Sequence, residues 1–156
     1  MTSTIDDVAA LHAQVRALTD RAEISELCDR YVMHLDKDRG EDGWLDRIFT
    51  PDAHLTFPMG EYEGLAGLTE FQRMARTTFE RTHHLSANHV VELDGDRGRV
   101  RVHLIAVHLK RTAEPGVQFT IGGHYEAEVV RTARGWRIQA FVFDVVWNDG
   151  EGPTPH

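Results

Sequence analysis

The spacing of apolar residues changes period midway along this chain, and that change limits what it can fold into. Up to about residue 80 apolar side chains recur at helical intervals; beyond it they alternate in runs broken by tight turns. The clearest helical stretch is Ile24, Leu27, Cys28, Tyr31, Val32 and Leu35, at offsets 0, 3, 4, 7, 8 and 11, which place all six on one helix face. Thr19 or Asp20 stands where a helix cap belongs, with Glu23 in place for a capping box. Val8, Leu11, Val15 and Leu18 predict an earlier helical piece over 5–18. A short helix around 42–49 buries Trp44, Leu45, Ile48 and Phe49, and Thr50-Pro51-Asp52 ends it because proline cannot continue a helix without strain. Residues 53–63 read as two short strands around Pro58-Met59-Gly60, and a third helix over 67–80 carries Leu68, Phe71, Ala75 and Phe79 on one face.

In the second half, strands over 83–93 and 98–111 flank Asp94-Gly95-Asp96, a strong hairpin signal. Strands over 117–131 and 136–147 flank Thr132-Ala133-Arg134-Gly135, and Pro115-Gly116 separates the two hairpins. Helices followed by a four-strand antiparallel meander indicate the α+β class rather than a doubly wound sheet. The expected architecture is a cone-shaped, curved sheet, mixed or antiparallel, wrapped around the N-terminal helices and enclosing a pocket at its mouth. The 156 residues suffice for one core without disulfide or metal staples. The expected domain is 1–148, with the Gly/Pro-rich 149–156 as a loose tail.

Charge narrows the partners. Lys+Arg number 17 against 25 Asp+Glu, a net charge of -8, which argues against nucleic acid because phosphate binding needs a basic patch. Cys28 is the only cysteine, so no intrachain disulfide forms; on the apolar helix face it reads as a small core hydrophobe. The acidic N-terminus lacks the apolar run of a signal peptide, and no stretch approaches the ~20 apolar residues of a membrane span. A cytoplasmic protein with no membrane partner is expected. Ten histidines invite a metal reading, yet no HExxH or Cys/His zinc spacing occurs, so no metal is expected. There is no nucleotide-binding glycine loop, and neither Ser25 nor Ser86 lies in GxSxG. No cofactor is expected.

Four places put ionisable groups where a core should be. Asp36 closes the apolar helix face, five residues after Tyr31. A carboxylate at a helix C-terminus opposes the macrodipole, and enclosure strips its water; both effects are expected to raise its pKa toward a general base or acid. His83-His84 open a strand, so only one of them faces inward, and Ser86 and Asn88 share the face of His84 by alternation. His124 follows paired glycines in Gly122-Gly123-His124-Tyr125, which permit close approach of a backbone or ligand, or a bulge. Asp144 lies within Phe143-Asp144-Val145-Val146-Trp147 and needs a partner, a histidine or an arginine. Position alone leaves a surface or structural role open for each, and for Asp144 favours the structural one.

Taken together, Tyr31 with Asp36, Phe49-Thr50-Pro51-Asp52-Ala53, Thr82-His83-His84-Leu85-Ser86-Ala87-Asn88 and Glu92-Leu93-Asp94-Gly95-Asp96 resemble the SnoaL-like domain family of the nuclear transport factor 2-like superfamily. The resemblance runs over roughly 15–147. Within the superfamily it is nearest to scytalone dehydratases and bile-acid dehydratases. It implies Asp36 and His84 as the acid–base pair, His124 as a second pocket histidine and Tyr31 as a hydroxyl donor. Leu35 and Phe57 stand where scytalone dehydratases carry tyrosines. The superfamily also contains polyketide cyclases, ketosteroid isomerases and non-catalytic binding proteins, so fold alone does not fix function.

The resulting expectation is a cofactor-independent acid–base lyase acting on a hydrophobic ring-containing hydroxyketone such as a polyketide or steroid. Catalysis would rest on Asp36, His84, His124 and Tyr31, and substrate binding on Phe57, Met59, Met74, Asn88, Phe141 and Trp147. Isomerisation or cyclisation begins with the same proton abstraction, and a binding or assembly module is the alternative without chemistry. The outer sheet face is expected to carry large apolar residues alternating with charges, Arg137, Gln139, Phe141, Phe143, Val145 and Trp147, some of which the helices or a second subunit must cover; a homodimer pairing through its sheets is expected.

Overall fold

The computed structural model describes residues 4–112, 114 and 116–152. Thr4–Lys37 form one helix, α1, followed by the single turn α2 (Leu45–Ile48) and the helix α3 (Gly64–Thr78). Strands β1 (Phe49–Phe57) and β2 (Gly60–Glu63) flank the Pro58-Met59 turn. Then come β3 (Phe79–Asp94), β4 (Arg97–Lys110), β5 (Gln118–Thr132) and β6 (Gly135–Asp149). They make one six-stranded sheet in the order β2-β1-β6-β5-β4-β3. Strand β1 runs parallel to β6 and every other pairing is antiparallel. This mixed, unclosed sheet curves over α1 and α3, the α+β cone that the period change predicts. None of the described helices is long and apolar enough to cross a membrane.

The helix break expected at Thr19-Asp20 does not occur. Residues 4–37 contain neither glycine nor proline, and Ala9, Ala10, Ala13 and Ala17 before the supposed cap and Ala22 after it favour helix. Asp20 is instead buried in mid-helix. It accepts hydrogen bonds from Arg131 (2.7 Å) and from the Trp136 indole (3.2 Å). Arg131 also bonds Asp96 and lies 4.6 Å above the Trp136 ring. A side chain readable as a cap therefore fastens α1 to the hairpin ends of the sheet. Further along, Ile24, Leu27, Cys28 and Tyr31 pack against Val100, Val102, Ala127 and Phe141 to form the core. Burial pushes the Cys28 thiol up to about 12, so it stays protonated among hydrophobes.

Two irregularities redirect side chains. Strand β3 slips register between Ala87 and Val90, with Asn88 at φ 58°. The extra residue breaks the alternation, so Asn88 leaves the face of His84 and turns outward, 3.4 Å from His103. Between Gly122 and Gly123 the register against β6 also shifts. A Cβ on Gly123 would fall on the Asp144 carbonyl oxygen, and one on Gly122 on the Trp147 ring. Gly123→Ala should therefore cost about 2–4 kcal/mol, as overpacking against backbone does at its severe end. Urea unfolding checks this; a loss below about 0.5 kcal/mol would mean the two strands part freely there.

The last strand also corrects an expectation. Phe141 and Phe143 are buried on the inner face and Val145 packs against the core, all within the chain's own interior. The exposed apolar residues of the outer face include Leu85, Val90, Ile105, Val142, Val146 and Trp147. At the start of the expected tail Gly150, at φ 83°, lies against Gln118 and Gly152 against the Phe119 ring. Residues 153–156 lie outside the described residues.

Candidate active site

The last turn of α1 delivers Asp36 to the first residues of β3. Thr82 and His84 are two apart on that strand and share a face, so both reach the one carboxylate. The Thr82 hydroxyl donates to Oδ1 at 2.9 Å, the His84 backbone N–H to Oδ2 at 2.8 Å, and His84 Nδ1 meets Oδ1 at 2.6 Å. Both side chains are largely enclosed, 14% exposed for Asp36 and 9% for His84. Burial on its own raises the Asp36 pKa, but the His84 ring, the His84 backbone N–H and the Thr82 hydroxyl outweigh it and hold the carboxyl below the usual carboxylate range. The upward shift expected from the helix end is thus reversed by three donors that only the fold supplies. An ionised Asp36 accepts from Nδ1–H, which fixes the His84 tautomer and leaves Nε2 as the basic nitrogen.

His84 lines a cavity of about 310 Å³ between the sheet, α3 and the end of α1. Its walls are mostly apolar. Phe57 stacks on Phe71 at 4.6 Å and lies 5.4 Å from Phe141; Leu104, Ala106 and Ile121 add the sheet side. Few polar groups interrupt them. Tyr31 lines the cavity with its ring edge-on to Phe49 and Phe141, and burial raises its hydroxyl pKa, so it remains a donor. Gln72 is buried on α3, also lines the cavity, and its amide has no hydrogen-bond partner among the described residues. Arg39 lies at the rim, where it donates to the backbone oxygens of Ala75, Phe79 and Glu80 and closes α3 onto β3.

A second histidine faces this cavity. His108 sits between the rings of Phe79 (4.5 Å) and Phe119 (5.6 Å), edge-on to His84 at 5.6 Å. Its Nδ1 lies 3.1 Å from the Phe119 carbonyl oxygen and so carries the proton. Burial, reinforced by the neighbouring His84, lowers its pKa to about 4. At neutral pH His108 is an uncharged ring whose Nε2 can only accept.

Of the residues singled out in the sequence, Tyr31, His84, Phe57, Met59, Met74 and Phe141 line one cavity, with Asp36 directly behind His84. His124, Asn88 and Trp147 do not. His124 points to the outer face, 49% exposed and 3.6 Å from Asp144, because Tyr125 takes the inward position and alternation sends its neighbour out. This also gives Asp144 its partner. Trp147 covers Gly122 from outside. His108 and Gln72 were missed, although both leave a trace in the sequence. Val100, Val102, Leu104, Ala106 and His108 form one alternating face ending in a histidine, and Gln72 follows Leu68 by one helical turn.

The model of the SnoaL-like domain matches residues 16–142. The chain belongs to the SnoaL-like domain family. An uncharacterized protein of Mycobacterium tuberculosis, Rv2910c, is 32% identical over 126 residues, 80% of this chain and 84% of its own. Two solved structures share the fold. One, described as a candidate scytalone dehydratase of Novosphingobium aromaticivorans, superposes with a TM-score of 0.78 at 18% identity, covering 88% of this chain and 91% of that one. The other, a type 2 hexachlorocyclohexane dehydrochlorinase (LinA), gives 0.78 at 19% identity, covering 90% and 95%.

Proposed function

We propose that this SnoaL-like protein is a cofactor-independent lyase that removes water from a compact, ring-containing β-hydroxyketone. The observation that carries the reading is the His84–Asp36 contact at the wall of an apolar cavity. His84 Nε2 takes the proton from the carbon next to the carbonyl, and the C–H electron pair moves into the enolate. Asp36 stabilises the imidazolium that forms. Collapse of the enolate forms the C=C bond and breaks the C–O bond, and the proton held by His84 leaves with the hydroxide as water. Tyr31 and the free Gln72 amide are the donors for the enolate oxygen. His108, an acceptor only, suits the substrate hydroxyl, and this favours dehydration over isomerisation, which has no hydroxyl to hold. The names of two proteins of like fold, a candidate dehydratase and a dehydrochlorinase, are in keeping with an elimination.

The cavity volume lies at the small end of the ~300–1,000 Å³ of ligand pockets, which suits a polyketide ring system better than an extended steroid. The test is a panel of aromatic and alicyclic β-hydroxyketones incubated with the protein in D2O and read by mass spectrometry. Loss of water is expected for at least one compound, with deuterium entering the α-carbon of recovered substrate wherever the enolate is reprotonated before the C–O bond breaks. Tight binding without exchange or water loss would leave a binding module and end the lyase reading.

A further inference from the structure

The first half of helix α1 lies outside the core. Residues 4–16 are exposed throughout, and Asp20 is the first buried residue. About 16 residues, ~24 Å of helix at 1.5 Å per residue, therefore stay uncovered, with Val15, Arg16 and Thr19 bordering an open hollow beside Leu93, Gly95 and Asp96 at a hairpin end. A helix of this length is marginal in water by itself. Yet it carries Val8, Leu11, Val15 and Leu18 at 47, 57, 52 and 68% exposure. Their 3-4-3 spacing is the a/d alternation of a heptad, confined to an arc of about 80° on an ideal helix. The core face of the same helix, Ile24, Leu27, Cys28 and Tyr31, is centred about 170° away. The stripe thus points away from the chain's own sheet.

So narrow a stripe is the seam of a helix pair, whereas a helix docking on a globule presents a wider apolar face. A lipid surface is disfavoured because the uncovered segment mixes Asp7 and Arg16 and has no basic face. We propose that the stripe binds the same stripe of a second copy, the two helices antiparallel about a two-fold axis near Gln14. In that arrangement Val8 meets Leu18, Leu11 meets Val15, and Asp7 of each copy lies beside Arg21 of the other. A parallel pair makes no such contact, and Asp29, the next charged residue on the same arc, is already held by His89 of its own chain. The cavity lies on the far side of α1 and stays open in the dimer.

Sedimentation of the full chain at about 1–100 µM is expected to show a species of twice 17.7 kDa. Leu11→Glu with Leu18→Glu should raise the dissociation constant about 100-fold or more while the folded core is retained, read as an unchanged near-ultraviolet circular dichroism spectrum. Gln14→Cys should cross-link to itself on oxidation and Val8→Cys should not. A monomer at 100 µM overturns the proposal, as does a dimer that survives the leucine changes but is lost in Ile105→Glu with Val146→Glu, which would assign the contact to the outer sheet face. Self-cross-linking at Val8 but not Gln14 overturns the antiparallel arrangement.

Discussion

Asp36→Asn is expected to remain folded at neutral pH and to lose about 100-fold or more in turnover, comparable to His84→Ala. The substitution keeps the side-chain shape while removing the charge that stabilises a protonated His84. It also turns one carboxylate oxygen into an NH2 facing groups that donate, Thr82, the His84 N–H and Nδ1. A stability loss of about 1–3 kcal/mol should accompany it, the usual cost of an unsatisfied buried donor. The double variant should be little slower than either single one, because residues acting as a unit are not additive. A tautomer readout needs no substrate. In the wild type, nitrogen NMR should show the His84 proton on Nδ1, and in Asp36→Asn a mixture of tautomers. Unchanged turnover, or an unchanged His84 tautomer, would remove Asp36 from the mechanism.

Stability should fall by about 3 kcal/mol between pH 6.5 and about 4 on account of His108 alone, from its lowered pKa. The unfolded chain binds a proton at His108 below about 6.5, whereas the folded chain refuses it until about 4. Within that window the unfolded state holds more protons, so stability rises with pH and is lost as pH drops. Asp36 acts lower on the scale. Its folded pKa lies below the unfolded 3.8, so its contribution is present above that value and disappears as pH falls further. His108→Phe keeps a ring between Phe79 and Phe119 but cannot titrate. Urea unfolding of both proteins at steps from pH 4 to 8 should show the wild-type advantage growing up to about 6.5. A difference that stays flat with pH would mean that His108 is hydrated and open to protons in the folded state.

The fold class was legible because apolar period is a local property. The offsets from Ile24 to Leu35 and the turns at Asp94-Gly95-Asp96 and Thr132-Gly135 needed nothing beyond neighbouring residues. The paired glycines likewise announced close approach, and the Asp144 backbone against Gly123 and the Trp147 ring against Gly122 provide it. The acid–base pair was legible in part. Asp36 and His84 stood out as charges at the ends of apolar faces, but their 2.6 Å contact joins residues 48 apart in the chain, which no local pattern encodes. Where alternation was extrapolated too far it misled. One residue inserted at Asn88 reverses the parity of β3, and Asp20, placed like a cap, is claimed by Arg131 and Trp136 from the far end of the chain.

The sequence by itself determined the succession of helices and strands, the hairpin turns and the face of α1 that meets the core, though not that α1 is unbroken, since period and turn chemistry act over a few residues. Only the tertiary structure decided which polar groups share the cavity and which charge each carries. Thr82 and the His84 N–H keep Asp36 ionised, and the rings of Phe79 and Phe119 keep His108 neutral. Desolvation and hydrogen bonding depend on neighbours brought from distant strands, and those neighbours exist only once the sheet has closed over the helix.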